Sequence, residues 1–173
     1  VADEMRYDER LVHFIVLFNV DEDYFECHEV MEELWLEEGR NTLYQGLLQA
    51  AVGLHHWRND NFSGAVKLFA QAENKLAPYP PILLGLDLAM LRHDIAVVLA
   101  PLRIWVNGGG SLTGRISAPG EGSMEEENGH AEAHAPPPFT AFRLTVVDQE
   151  LLALVEEMSQ IPHEDRLHAG DDS

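Results

Sequence analysis

Apolar side chains recur at helical spacing along most of this chain, and the breaks between those stretches divide it into elements. Leu11, Phe14, Ile15 and Phe18 form the apolar stripe of a first helix that starts near Asp8, and Asn19-Val20-Asp21 breaks it. Asp21 suits the N-cap of a second helix, with acidic residues in the favourable first turn, and Gly39 suits its C-terminal end. Asn41 or Thr42 caps a third helix that reaches Arg58, whose Gly46, Ala50 and Gly53 would let a neighbouring helix approach closely. After the turn Asn59-Asp60-Asn61, Ser63 opens a fourth helix, with Ala65, Leu68, Phe69, Ala72 and Leu76 on its apolar face. The stretch from Ala77 to Pro81 is a proline-stiffened loop, and Asp87 caps a fifth helix that extends to the region of Leu99.

The pattern stops after Val106. Residues 107–138 carry Gly108-Gly109-Gly110, Glu125-Glu126-Glu127 and Pro136-Pro137-Pro138 and almost no large apolar side chains, which predicts a low-complexity insert. Phe139 to Val147 could be extended. Asp148 then caps a last helix with Leu151, Leu152, Val155 and Met158 on its apolar face, and a tail from His163 is expected to fray. The expected organisation is a core over 1–106, the insert over 107–138, a C-terminal segment packing on the core over 139–162 and a tail over 163–173. Short turns make consecutive helices neighbours, so the fold class is all-α: an antiparallel helical bundle of about five core helices plus a C-terminal helix.

The second helix adds an oddity to this picture. At about 100° per residue, His28, Glu32 and Trp35 share a stripe flanked by Tyr24 and Met31, while Glu26, Glu29, Glu33 and Glu37 fall on the opposite side. A solvated acidic face is ordinary, but a histidine and a carboxylate on the apolar side need partners. The third helix repeats the theme with Gln45, Gln49, Val52 and His56 on one stripe. If the two helices are antiparallel, His28, Glu32, Gln45, Gln49 and His56 would form one inner cluster.

That cluster has three readings. It is a satisfied polar network that fixes helix register. Alternatively, His28, Glu32 and His56 bind a divalent metal (zinc, iron or manganese), with water completing the site and Gln45 and Gln49 hydrogen-bonding the ligands. The third reading is acid–base catalysis without a metal. Trp35 is expected in the core, with its indole N–H donated to a neighbour. Several motifs fail. His28-Glu29-Val30-Met31-Glu32 has glutamate where a zinc protease helix needs its second histidine. Glu127 and His130 match the di-iron spacing only inside the insert. Cys27 points about 100° away from His28, which suits a small buried residue better than a nucleophile.

Charge narrows the partners. Acidic residues outnumber basic ones by 30 to 11, a formal charge of −19 that disfavours nucleic acid and anionic membranes. Lys67 and Lys75 are the only lysines, a balance that suggests adaptation to concentrated salt. Stability should then climb with salt, and a melting temperature flat from low to molar salt would refute the idea. One cysteine excludes an internal disulfide and fits a reducing compartment, and neither a signal pattern nor a transmembrane stretch is evident, so a soluble cytoplasmic protein is expected. An exposed apolar helix face would suit a homodimer.

Phe18-Asn19, Tyr24-Phe25-Glu26, the His-x-x-x-Glu-x-x-Trp motif at His28, Glu32 and Trp35, and Tyr44 to Val52 with His56 resemble domain-of-unknown-function family 309. Asn61, Gly64-Ala65 and the segment from Pro81 to Asp87 continue the likeness, which covers roughly residues 10 to 100. The resemblance implies an all-α bundle without an assigned activity, and a suggested metal-binding role that transfers to His28 and Glu32. Two function classes follow. One is a non-catalytic module that binds a protein partner or small-molecule ligand. The other is a divalent-metal-binding protein, with a metal-dependent hydrolase as its enzymatic form, that uses His28, Glu32 and His56.

Overall fold

The computed structural model describes residues 7–108, 135–162 and 164–166. Most of the insert, including Glu127 and His130, and most of the tail lie outside the described residues.

Among the described residues, six α-helices carry the fold: α1 (Glu9–Val16), α2 (Tyr24–Glu37), α3 (Thr42–Arg58), α4 (Phe62–Leu76), α5 (Leu88–Asn107) and α6 (Gln149–Ser159). A two-stranded antiparallel hairpin, β1 (Ile82–Leu83) and β2 (Leu86–Asp87), links α4 to α5. Each helix packs on the next from α1 to α5, and α6 returns to cover α1. The expected all-α bundle is therefore what the chain forms.

Each start is set by a short polar side chain that accepts an otherwise orphaned N–H. Asp8, Asn41, Asp87 and Asp148 cap α1, α3, α5 and α6. Two expected caps are corrected. Asp23, not Asp21, caps α2, because α1 continues into a π-helical turn (Leu17–Asp21) that uses up those residues. Asn61, not Ser63, caps α4, accepting from the Gly64 N–H at 3.1 Å. Gly39, with φ of 75°, terminates α2 as expected.

The small residues of α3 serve contact. A Cβ at Gly53 would lie 2.6 Å from the Phe69 ring, and one at Gly46 would lie 2.8 Å from Leu76. Helix α5 runs on to Asn107, past the expected end near Leu99, although Pro101 interrupts its hydrogen bonds. Pro101 is exposed, and so is Val97 four residues before it, so water can reach the break. The expected frayed tail is docked at least at Arg166, which is buried, pairs with Asp21 and donates to the Ile161 carbonyl at 2.8 Å.

Candidate functional site

Helix α2 buries Tyr24, Cys27, Met31 and Leu34, a stripe with spacings of three and four residues, with Val30 beside them. His28 and Glu32 border that stripe instead of belonging to it, and their side chains are 35% and 45% exposed. His28 Nε2 lies 3.8 Å from Glu32 and Nδ1 lies 3.4 Å from Glu29. Glu29, Glu32, Glu33 and Leu36 line an open surface depression beside them. This is an acidic, solvated shoulder.

The other members of the expected inner cluster are elsewhere. Gln49 is buried, but it turns toward α4 and donates from Nε2 to Gln71 Oε1 at 3.0 Å. His56 meets the Asn61 amide at 3.2 Å, at the turn into α4. Partial burial and then the neighbouring His55 hold its pKa below the usual histidine value. His55 is the residue that faces α2, with its ring 5.8 Å from that of Phe25. Gln45 is half-buried on the first turns of α3. Gln49 and His56 thus turn to α4 and the turn before it, away from His28 and Glu32 on α2, because a one-residue step of 100° decides which of His55 and His56 faces α2. Among the described residues, no three His, Cys, Asp or Glu side chains are grouped to hold a metal ion. Trp35 is half-buried, not core. Arg40 lies 5.3 Å over its ring, and its buried indole nitrogen has no hydrogen-bond partner among the described residues. Cys27 is fully buried, its thiol directed to the Phe14 carbonyl at 3.6 Å and its pKa raised by that burial, so it is no nucleophile.

A different constellation lies at the N-terminal end of α2, around Tyr24. Residues 135–147 cross the bundle as an extended chain, with Phe142 and Leu144 buried and Arg143 and Thr145 exposed. The π-helical turn presents Asn19 to this chain. The Asn19 Nδ2 donates to the Leu144 carbonyl at 2.8 Å, and the Leu144 N–H donates to Asn19 Oδ1 at 2.8 Å. Trp57 Nε1 donates to the Pro137 carbonyl at 3.1 Å. Aromatic pockets hold the side chains between these bonds. Phe139 packs edge-on against Trp57 at 5.1 Å and against Tyr24 at 6.3 Å. Phe142 lies 6.0 Å from both Phe18 and Phe69. Arg58 covers the rim, 4.6 Å above Tyr24 and 5.7 Å from Phe139.

The far end of the segment is pinned to the hairpin. Val146 bridges to Leu86, the Asp87 N–H donates to the Thr145 carbonyl at 2.9 Å, and the Val147 N–H donates to the Gly85 carbonyl at 2.8 Å. Gly85 has φ of 72°, and a Cβ there would lie 2.9 Å from the Tyr7 hydroxyl, so glycine is required. Tyr24 stands apart within the groove. It is fully buried, burial holds its phenol pKa well above the ordinary value, and its hydroxyl has no hydrogen-bond partner among the described residues. Sequence reasoning missed Asn19 and Trp57 as the residues that hold this segment. The signal available was Phe18-Asn19 itself, a polar amide at the end of an apolar helix, which reads as a helix break.

Comparison with known proteins bears on the same residues. The matched part of the chain is 39% identical over 69 residues to the uncharacterised protein YpuF of Bacillus subtilis (strain 168), covering 38% of this chain and 40% of that one. It is 29% identical over 85 residues to an uncharacterised protein of Aquifex aeolicus (strain VF5), covering 47% of this chain and 26% of that one. The alignments thus span less than half the length of either relative. No solved structure matches. Among the described residues, no helix is long and apolar enough to cross a membrane. Residues 11–68, which supply Asn19, Tyr24, His28, Glu32, His56 and Trp57, match the family described as domain of unknown function DUF309.

Proposed function

We propose that the chain is a non-catalytic interaction module whose recognition surface is the groove lined by Asn19, Tyr24 and Trp57. The observation that supports this most is the paired hydrogen bond between the Asn19 amide and both main-chain groups of Leu144. An amide used in this way reads an extended backbone whatever its side chains, and flanking pockets select side chains, which is the usual division of labour in peptide recognition. The Trp57 indole on a proline carbonyl repeats the logic used by grooves that take proline-rich segments. The test is a labelled peptide with the sequence of residues 135–148, titrated into the full chain carrying Phe139→Ala, which weakens the chain's own occupant. Saturable binding that is lost when Asn19→Ala is added is expected. Binding that ignores Asn19→Ala would discard the groove as the recognition surface.

A second reading rests on His28, whose two ring nitrogens both face carboxylates, Glu29 and Glu32. Histidine with a carboxylate is a ligand pair for zinc, iron or manganese, and solvent would fill the remaining positions. His56 takes no part in this reading, since it bonds to Asn61. Calorimetric titration with zinc should give binding that His28→Ala removes. Unchanged binding in that variant would end the metal role for this pair.

A further inference from the structure

Three observations separate the groove from the chain that fills it. The wall residues Asn19, Tyr24 and Trp57 lie within residues 11–68, the stretch that matches the family, whereas the occupant 135–147 lies outside it. The occupant has little secondary structure of its own, a single bridge from Val146 to Leu86, so leaving the groove would not require unwinding a helix. Its fit is incomplete, because Tyr24, whose ring meets Phe139, keeps a buried hydroxyl with no hydrogen-bond partner among the described residues. A buried donor left unpaired disfavours the arrangement that buries it.

We infer that residues 135–147 act as an internal pseudo-ligand that blocks the groove, and that the groove's partner is an extended, proline-led peptide segment of another protein. This rests on the groove reading above and adds the class of partner and a means of control. The occupant itself defines the chemistry that recognises such a partner. A carbonyl two residues before the first aromatic accepts from Trp57, and that aromatic enters the Trp57–Tyr24 pocket. A second aromatic three residues later packs on Phe18 and Phe69, and the residue two positions beyond it offers its main chain to Asn19. A partner whose main chain also reached the Tyr24 hydroxyl would gain a bond that the internal segment does not make. Covalent connection puts the internal segment at an effective concentration on the order of millimolar. An external peptide therefore binds the intact chain more weakly, in proportion to the small fraction of open groove.

The experiment compares a labelled peptide of residues 135–148 binding to the full wild-type chain and to the full chain carrying Phe139→Ala. The expected result is roughly 10- to 100-fold tighter binding to the variant, because removing one pocket side chain raises the open fraction. Equal affinity for both chains would overturn the self-blocking while leaving the groove as a binding surface. No binding to a variant that keeps its helical circular dichroism would overturn the groove reading and this inference together. If Phe139→Ala fails to fold, hydrogen exchange on the wild-type chain decides the matter. Saturating peptide should speed exchange of the Leu144 amide by about 10-fold or more while the α3 amides stay protected. Exchange of Leu144 and α3 together, with or without peptide, would show the segment to be permanent core. A dimer that grows with protein concentration without peptide would show the segment passing between copies and would replace the external partner with a second copy of this chain.

Discussion

Two regions beside helix α2 carry polar side chains with opposite consequences. On the acidic shoulder, His28 stands between Glu29 and Glu32 with much of all three side chains in water. In the turn before α2, the Asn19 amide holds Leu144 by both of its main-chain groups next to a wall of aromatic rings. Solvent screens the first set, and ion pairs of that kind contribute about 0–1 kcal/mol. The second set is part-buried against Leu144 and Phe18, which are themselves buried, and breaking it strands main-chain groups that water recovers only in part. Polar residues therefore matter here by what excludes water around them, not by their charge.

The sharpest way to break the comparison is to empty the groove's floor. Phe18 is fully buried against Phe14, Tyr24 and Phe142, so Phe18→Ala should lower unfolding stability by about 3–5 kcal/mol in urea. A cost under about 1 kcal/mol would mean that the aromatic wall is not packed as described. Asn19→Ala comes next. It removes two hydrogen bonds to Leu144 and should cost about 1–3 kcal/mol, with faster exchange of the Leu144 amide. Unchanged Leu144 protection would refute the role given to that amide.

On the shoulder, His28→Ala should shift stability by no more than about 0.5 kcal/mol, as expected for a solvated side chain. A loss on the scale of about 3–5 kcal/mol would instead restore the buried pair that the residue pattern suggested. The smallest effect concerns pH. The folded-state pKa of His56 lies below its unfolded value of 6.5, so the unfolded chain binds more protons in the window between the two. This contribution is level above pH 6.5, and stability falls as pH drops from there through the folded pKa. His56→Gln should flatten that part of the melting-temperature profile. A slope identical to the wild type would assign it to other groups.

The positions of these residues in the sequence explain which parts were readable. Helix caps at Asp87 and Asp148 and the terminating Gly39 follow from local chemistry, and the structure has all three. That Phe139 to Val147 is not helical was also legible, since it lacks helical periodicity. The start of α2 was misread by two residues because a π-helical turn leaves no hydrophobic repeat to detect. The inner cluster was misread for a related reason. Angular counting along a single helix orders its faces but does not say which face meets a neighbour, so His56 was placed where His55 lies.

The chain's own pattern determined an all-α bundle, most of its helix boundaries, the small-residue contact of α3 with α4 and the acidic surface. These depend on interactions within a few residues, which periodicity and capping record directly. The groove was decided only by tertiary structure. Asn19 and Leu144 are 125 residues apart, and Trp57 and Pro137 are 80 apart. Nothing local links an amide at a helix break to a main chain that far away. They meet because the buried faces of α1 to α4 leave an aromatic channel that Phe139 and Phe142 fill.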